Sequence, residues 1–321
     1  TWVIPRARPD AAALAAAAEL IADAERPMIV AGGGVMYSDA TDALDGFASR
    51  FDIPVTETQA GRGSLRWDHP MSMGPIGSTG GSAGNAVAHD ADVVIAIGTR
   101  LSDFPTMSWS AWQQPDVRFV AINVAELDAT KAAALPLVGD ARETLLELHA
   151  ALDARGWTGA APERRETLER LRTSWQGEVE RVRHLAAETH VSQPEAIRLV
   201  NEALGEDGIV VGAAGGLPGD MYKLWRPTAP GTYHMEYGNS TMGYEIAGGL
   251  GVALAEPDRR VHVMLGDGSY LMLSSEIMTA LQEGVGMTIV LLDNHGFRCI
   301  RNLSYACGGD NPFNDFRTRD P

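Results

Sequence analysis

Apolar runs of strand length alternate along the first half of the chain with helix-forming segments. Four runs are rich in Val, Ile and other strand formers: RPMIVAGGG (26–34), IPVTETQ (53–59), VVIAIG (93–98) and VRFVAINVA (117–125). Helical patterns flank them, starting with the Ala-rich segment 10–24 and closing with ARETLLELHAAL (141–152). Such alternation indicates βαβ units around a parallel sheet. We therefore predict an α/β first domain over residues 1–155.

The pattern changes in the middle of the chain and then resumes. Residues 160–190 are charged, helical and nearly free of strand formers, so we predict a solvated helical linker over 156–192. Ser192 and Pro194 then have the spacing of a helix start. The segments that follow alternate again: EAIRLVNEALGE, GIVVGAAGG, NSTMGYEIAGGLGVALAE, RVHVMLGDGS, SEIMTALQEG and MTIVLLDNHG. We predict a second α/β domain over residues 193–321.

The predicted fold class is thus α/β, with two doubly wound parallel-sheet domains joined by a helical linker. No helix is predicted after the last strand, and the chain stops at FRTRDP. Thr1 is not a natural first residue. We expect the sequence to be an internal part of a longer polypeptide, truncated at its C-terminus.

Composition narrows the classes of partner. Hydrophobic residues make up 45% and charged residues 21% of the 321 positions, as in globular proteins. The net charge of −16 argues against nucleic acid or an anionic membrane as a partner. The apolar runs are too short to span a bilayer. Two cysteines, Cys299 and Cys307, fit a reducing, cytoplasmic setting, with neither a disulfide scaffold nor a metal-type spacing.

Polar residues follow two successive strands of the second domain. Asp267 comes directly after RVHVMLG, and Asn294 follows MTIVLL one helix later. If the strands are parallel neighbours, both side chains reach the same sheet edge, where open α/β sheets bind ligands. Carboxylate and amide oxygens suit Mg²⁺, and small residues such as Gly268 and Ser269 let main chain approach a diphosphate. The alternative is a pair of unrelated turns.

A further glycine turn, Gly32–Gly34, follows a strand of the first domain. It lacks the GxGxxG spacing and an acidic residue after the next strand. A tight structural turn and a nucleotide site both remain open there.

The motif GDGSYLM…DNHG resembles the cofactor motif of the thiamine diphosphate-dependent acetolactate synthase and pyruvate decarboxylase superfamily. The resemblance implies that Asp267, Asn294 and the main-chain carbonyl of Gly296 bind Mg²⁺. His295, inside the same motif, is a candidate acid or hydrogen-bond donor toward substrate; a turn-filling role is the alternative.

The resemblance extends upstream to GNSTMGYEIAGGLG (238–251). It implies that Met242 wedges between the two cofactor rings and holds them bent. It further implies that the Ser240 carbonyl and the Met242 N–H bind the aminopyrimidine. By the same resemblance, Ala214, Gly215 and Gly216 form the loop that closes over the diphosphate, beside Gly268 and Ser269.

The first domain resembles the central domain of the acetolactate synthase group, so the resemblance covers nearly the whole chain. Some central domains of that group carry FAD or an ADP moiety and others hold nothing. The resemblance therefore leaves open a nucleotide at Gly32–Gly34 and Gly98–Arg100.

Within the superfamily, STMGYEIAGGLGVALAEPDR, VMLGDGSYLMLSSEIMTALQEG and QAGRGSLRWDHPMSMGPIGSTG look most like the trihydroxycyclohexane-1,2-dione hydrolases of inositol catabolism. That resemblance implies hydrolytic C–C cleavage of a cyclic 1,2-diketone to 5-deoxy-glucuronate. Ile300 stands where the decarboxylases have an acid, and Arg298, Cys299 and Arg301 stand where the hydrolases have small residues. Three alternatives remain: an acetolactate synthase-like carboligase or decarboxylase, a nucleotide-dependent oxidoreductase and a non-catalytic binding module.

The superfamily's activating glutamate comes from an N-terminal pyrimidine-binding domain of the partner subunit. We find no such domain in the sequence, and Glu276 and Glu283 read as surface acids of a crossover helix. The resemblance therefore implies a homodimer or homotetramer with sites shared between subunits, acting on a small-molecule substrate. We expect residues 1–321 to be inactive alone.

Overall fold

The computed structural model describes residues 3–187, 190–309 and 314–316. The chain divides into two compact units, residues 1–181 with 226–230, and residues 182–225 with 231–321. Each unit contains a parallel sheet with helices, which confirms the predicted α/β fold class. The segment FRTRDP, on which the predicted C-terminal truncation was based, lies mostly outside the described residues.

The first unit has a six-stranded sheet in the order β3-β2-β1-β4-β5-β6, and every pair is parallel. Its strands are β1 Pro27–Ala31, β2 Val55–Glu57, β3 Ser72–Pro75, β4 Val93–Ile97, β5 Arg118–Asn123 and β6 Leu135–Val138. The chain reverses direction across the sheet between β1 and β4. The turns after these two strands therefore lie at the switch point, where open α/β sheets offer a crevice.

Helices cover both faces of this sheet. They are α1 Ala11–Ala22, α2 Gly33–Tyr37, α3 Thr41–Phe51, α4 Ser82–Asp90, α5 Asp103–Thr106, α6 Glu126–Ala129, α7 Ala141–Ala154 and α8 Pro162–Arg183. Successive strand residues alternate between faces: Ile29 packs in the core with α1, α3 and α7, while Met28 packs in the core with α4. Both faces are buried, which explains why the strands read as continuous apolar runs.

Helix α8 is packed on the first unit and is not solvated on all sides. Its Leu168 is buried in the Met28 core, and Leu171 and Trp175 pack against the same cluster. The Trp175 ring lies over Gly74 and Gly81, where a Cβ on Gly81 would approach the ring to 2.6 Å. The predicted helical segment is formed mainly by α8, which is largely exposed, and its few apolar residues share the face that packs against the first sheet.

The second unit has a four-stranded parallel sheet in the order β10-β9-β7-β8. Its strands are β7 Ile209–Gly212, β8 Tyr233–Met235, β9 Val261–Gly266 and β10 Thr288–Leu292. Its helices are α9 Gln193–Leu204, α10 Gly216–Leu224, α11 Tyr244–Ala255, α12 Asp267–Met272, α13 Glu276–Glu283 and α14 Arg298–Ala306. Ile246 and Ala253 of α11 bury against Val211 and Val263 of the sheet.

Three strands and several helices, among them α10 and α14, were absent from the sequence prediction. Strands β3, β6 and β8 are short edge strands, and β3 contains both Gly74 and Pro75, which weaken a strand signal. Helix α14 follows β10, so the expectation of no further helix was wrong. Among the described residues, no helix combines the length and the apolar character that crossing a membrane requires.

Candidate functional site

Strands β9 and β10 end side by side at one edge of the second sheet. They pair in parallel, with Leu292 opposite Gly266. Asp267 and Asp293 are the next residues of the two strands, so both acidic side chains start from the same edge. The adjacency predicted from the crossover length is what the sheet shows, and it brings together the two halves of the GDG and DNHG motif.

The Asp267 carboxylate links the two halves directly. Its side chain is buried, and Oδ2 accepts a hydrogen bond of 2.9 Å from the main-chain N–H of Gly296. Oδ1 accepts from the N–H of Gly268 at 3.0 Å. These two hydrogen bonds fix the turn that carries Gly296.

Asn294 follows the neighbouring strand end and has an unsatisfied oxygen. Its Oδ1 is buried and has no hydrogen-bond partner, and its Nδ2 would lie 3.9 Å from a Cβ placed on Gly266. A buried acceptor without a donor is costly and commonly marks the place of an ion or water. An amide oxygen next to a carboxylate is a donor set that suits a hard cation such as Mg²⁺.

No group of three or more His, Cys, Asp and Glu side chains able to hold a metal occurs among residues 3–187, 190–309 and 314–316. The predicted set is of another kind, because it combines one carboxylate, one amide oxygen and one main-chain carbonyl. Such a set leaves room for phosphate oxygens, as Mg²⁺ sites with phosphorylated ligands require.

Asp293 and His295 lie at the solvent side of the same turn. The His295 main-chain N–H donates to Asp293 Oδ1 at 3.0 Å, and His295 Nδ1 is 3.3 Å from the same oxygen. This main-chain bond, with a further contribution from the Asp267 side chain, holds the pKa of Asp293 below its ordinary value. His295 is exposed and adopts a φ of 62°, so it forms the corner of the turn. Its role toward substrate stays a prediction.

A short segment near the end of the chain covers the motif. Residues 295–297 pair in antiparallel fashion with 314–316, through the Phe297 N–H to Asn314 carbonyl bond of 2.7 Å and the Phe316 N–H to His295 carbonyl bond of 2.8 Å. Arg301 of α14 pairs with Asp315 at 2.7 Å. A Cβ on Gly296 would lie 2.2 Å from the Asn314 oxygen, so only glycine allows this pairing.

The side chains of Met242 and Phe297 both lie next to Gly268. A Cβ on Gly268 would lie 2.8 Å from Phe297 Cε1 and 3.4 Å from the Met242 methyl carbon. Ser269 is buried next to Gly268 at the start of α12. The sequence offered no signal for Phe297, because its place depends on the turn at Gly296.

The turn Ala214–Gly216 forms the start of α10 after β7. Gly215 has a φ of 100°, which favours glycine, and a Cβ placed on it would have no neighbour within 4 Å. No side chain caps the α10 N-terminus, as at helix starts that bind phosphate. A Cβ on Gly216 would lie 4.0 Å from the Cβ of Cys299, which brings the start of α14 to this turn. Both cysteines are free thiols.

The glycines at the first unit's switch point pack against each other. Cβ atoms on Gly32 and Gly34 would lie 2.4 Å and 2.5 Å from the main chain of Gly98. The N–H groups of all three are donated to carbonyls, those of Ile97, Gly98 and Ile122 respectively. These donors are consumed within the fold, so the arrangement gives no support to an FAD or ADP site there.

A serine, a histidine and an aspartate also meet in the first unit. Ser49 Oγ is 3.0 Å from His69 Nε2 and 3.3 Å from Asp45 Oδ1. The Met71 N–H donates to His69 Nδ1 at 3.1 Å, so in the neutral ring Nε2 carries the proton. A ring nitrogen that donates to the serine cannot also accept its proton. The cluster is therefore a structural hydrogen-bond network and not a nucleophile with its general base.

Comparison with known proteins agrees with this geometry. Residues 14–148 match the model of the thiamine pyrophosphate enzyme central domain. Residues 213–320 match the thiamine pyrophosphate enzyme C-terminal TPP binding domain. The chain belongs to the thiamine pyrophosphate enzyme family. The resemblance inferred from the sequence is thereby confirmed, and the match to a TPP binding domain supports thiamine diphosphate as the cofactor.

Curated relatives are about 40% identical to this chain over the aligned residues. A protein of Clostridium botulinum (strain Alaska E43 / Type E3) is 41% identical over 94% of the chain and 50% of its own length. One from Clostridium tetani is 38% identical, and one from Bacillus cereus (strain AH820) is 40% identical, each over 99% of the chain and 52% of its own length. All three are named 3D-(3,5/4)-trihydroxycyclohexane-1,2-dione hydrolase. The chain spans about half the length of the curated relatives it matches.

Proposed function

We propose that this chain is the central and diphosphate-binding part of a thiamine diphosphate- and Mg²⁺-dependent enzyme that hydrolyses a C–C bond of a cyclic 1,2-diketone. One observation carries the cofactor part of the proposal. Two neighbouring strand ends lead into the buried Asp267 and into Asn294, whose Oδ1 is buried and has no hydrogen-bond partner, and this supports the proposal. The names of the relatives support trihydroxycyclohexane-1,2-dione as the substrate, and the resemblance seen in the sequence implies 5-deoxy-glucuronate as the product.

Different residues of the second unit would bind different parts of this cofactor. Asp267, Asn294 and the Gly296 carbonyl would hold Mg²⁺, which neutralises the diphosphate. The open turn Ala214–Gly216 and the small residues Gly268 and Ser269 let main chain approach the phosphates. Met242 would support the bent cofactor and Ser240 would bind its aminopyrimidine. When bound, the cofactor supplies the carbon nucleophile and the electron sink that C–C cleavage of a diketone needs.

The same proposal covers partners and setting. The enzyme acts on a small molecule in the cytoplasm as a homodimer or homotetramer, with each site completed by an activating glutamate from another subunit. Residues 1–321 alone are then inactive, and hydrolysis of the diketone by a verified 1–321 fragment would contradict this part of the proposal.

Calorimetric titration tests the cofactor part in the intact protein. Thiamine diphosphate with Mg²⁺ should bind the unmutated protein, and Asp267→Ala and Asn294→Ala should each weaken binding at least about tenfold, a loss of about 1.4 kcal/mol. Asn302→Ala, an exposed asparagine on α14, serves as the matched control and should bind normally. The absence of binding heat for the unmutated protein would refute the proposal.

Product analysis tests the reaction. The intact protein with thiamine diphosphate and Mg²⁺ should convert trihydroxycyclohexane-1,2-dione to 5-deoxy-glucuronate and should form no acetolactate from pyruvate. Acetolactate formation without diketone hydrolysis would show a carboligase in place of the hydrolase.

A further inference from the structure

The turn between β8 and α11, residues 237–243, carries both residues proposed to meet the aminopyrimidine half of the cofactor. Ser240 and Met242 lie in this turn, and Tyr244 begins α11 directly after it. Residues 238–241 are exposed, so packing does not determine their conformation. Something other than burial must therefore hold the turn.

The Glu236 carboxylate lies at the base of the turn and binds its main chain with both oxygens. Oε1 accepts from the Asn239 N–H at 3.0 Å, and Oε2 accepts from the Thr241 N–H at 2.7 Å. The Glu236 main-chain N–H donates to the Gly212 carbonyl of β7 at 3.2 Å, which anchors the residue to the sheet. Hydrogen bonds to a charged acceptor are stronger than neutral ones. The carboxylate thus ties residues 239 and 241 to the sheet edge.

Glu236 is charged under ordinary conditions. Burial on its own would raise the pKa of this carboxyl, but the N–H groups of Thr241, Asn239 and Gly238 together hold the pKa below its ordinary value. An anion that accepts several main-chain N–H groups orders a loop as a bound phosphate does.

The conformation that Glu236 stabilises is a strained one. Ser240 has a φ of 53°, in the left-handed region that non-glycine residues rarely occupy. Such residues persist where their surroundings hold them, and they cluster at binding sites. Ser240 lies between the two residues whose N–H groups the carboxylate holds, so those two bonds bracket the strained position.

The far end of the turn is fixed independently. The Gly243 N–H donates to Oε2 of the buried Glu245 at 2.9 Å. His234 Nε2 lies 2.6 Å from the Tyr244 hydroxyl, and the two rings stack. The end of the turn at Gly243 is therefore held without Glu236, whereas the part with Ser240 depends on it.

We propose that Glu236 is a positioning residue that holds the turn 237–241 in the strained form that presents the Ser240 carbonyl and Met242 to the aminopyrimidine ring. This inference rests on the proposed function. It assigns Glu236 to one half of the cofactor only, because the diphosphate contacts come from Ala214–Gly216 and the Asp267–Gly296 motif. Loss of the carboxylate should weaken recognition of the ring and leave recognition of the diphosphate intact.

Glu236→Gln in the intact protein tests this division. Glutamine keeps the size of the side chain but has one acceptor oxygen, so one main-chain N–H then faces an NH₂ donor. Calorimetry is run with two ligands, thiamine diphosphate and inorganic pyrophosphate, each with Mg²⁺. We expect the Kd for thiamine diphosphate to rise at least about tenfold, or about 1.4 kcal/mol, while the Kd for pyrophosphate changes less than about twofold. Glu256→Gln, an exposed glutamate beyond the other end of α11, should change neither.

A second measurement reads the turn itself without any ligand. Amide hydrogen exchange of Asn239 and Thr241 should be faster in Glu236→Gln than in the unmutated protein, while Gly243 exchanges as before. Equal thiamine diphosphate affinities, or an equal loss for pyrophosphate, would overturn the inference and leave the proposed function standing. Failure of the unmutated protein to bind thiamine diphosphate would overturn both.

Discussion

Without ligand, the Asn294→Leu variant should be more stable than wild type. With thiamine diphosphate and Mg²⁺ bound, wild type should be the more stable of the two. The Asn294 Oδ1 is buried and has no donor. An unsatisfied buried polar group costs about 1–3 kcal/mol, and an apolar side chain of the same shape removes that cost. Because Asn294 as a whole is half-buried, the lower end of that range, about 1 kcal/mol, is the expected gain. That gain corresponds to a rise in Tm of about 2–4 °C for a domain of 150–250 residues.

With cofactor the order of stability should invert. A ligand present at a hundred times its Kd stabilises the folded state by about 2.7 kcal/mol when it does not bind the unfolded chain. Leucine offers no oxygen to Mg²⁺, so the variant should lose most of this stabilisation. Wild type with ligand should then exceed Asn294→Leu by about 1.7 kcal/mol, after the variant's intrinsic gain is taken into account.

The assay is unfolding of the intact protein with and without thiamine diphosphate and Mg²⁺ at fixed concentrations. Asn302→Leu is the matched control, since Asn302 is exposed on α14 and should change neither measurement by more than about 0.5 kcal/mol. A variant that is less stable than wild type without ligand would show that Oδ1 has a partner. A variant stabilised by ligand as much as wild type would show that Asn294 does not bind the cation.

Two further predictions concern a glycine and a histidine. Gly296→Ala should weaken Mg²⁺–pyrophosphate binding at least about tenfold, because its Cβ would lie 2.2 Å from the Asn314 oxygen. Gly251→Ala, with open space at its Cβ, is the control; equal calorimetric affinities would contradict the reasoning. Burial lowers the pKa of His69 below 6.5, so the unfolded chain binds more protons below that pH. Stability should therefore fall as pH drops below about 6.5, by at most about 1.4 kcal/mol per pH unit. His69→Asn should flatten this dependence in denaturant titrations, and an unchanged slope would contradict the assignment.

The central strands could be predicted from the sequence because they are buried on both faces. Strands β1, β4, β5 and β7 are buried almost throughout and read as continuous apolar runs, and the edge strand β10 reads as apolar although it is only partly buried. Edge strands β3, β6 and β8 carry three or four residues each, so their pairing depends on neighbours that a local pattern does not contain. The sequence therefore predicts the α/β architecture and the family, and both are confirmed. The short strands β3, β6 and β8 at the sheet edges could be assigned only from the structure.

The adjacency of Asp267 and Asn294 followed from one rule, that parallel strands joined by a crossover end at the same edge. The supporting residues follow from no such rule. Phe297 covers Gly268 only because residues 314–316 pair with the turn, and this contact depends on the path of the chain. Glu236 acts through the main chain of Asn239 and Thr241, which any residue type could provide. Sequence reasoning thus finds groups that act through their own side-chain chemistry and misses those that act through geometry.

The glycine turns that follow strands in the two units differ in what surrounds the glycines. After β1 and β4 the N–H groups of Gly32, Gly34 and Gly98 are donated to main-chain carbonyls, so the close approach serves packing. After β7, a Cβ on Gly215 would meet open space and no side chain caps the α10 N-terminus, so this glycine turn does not serve close packing. Glycine in the sequence indicates only that main chain comes close to something. Whether that something is the protein itself or a diphosphate is decided by which N–H groups remain to be satisfied.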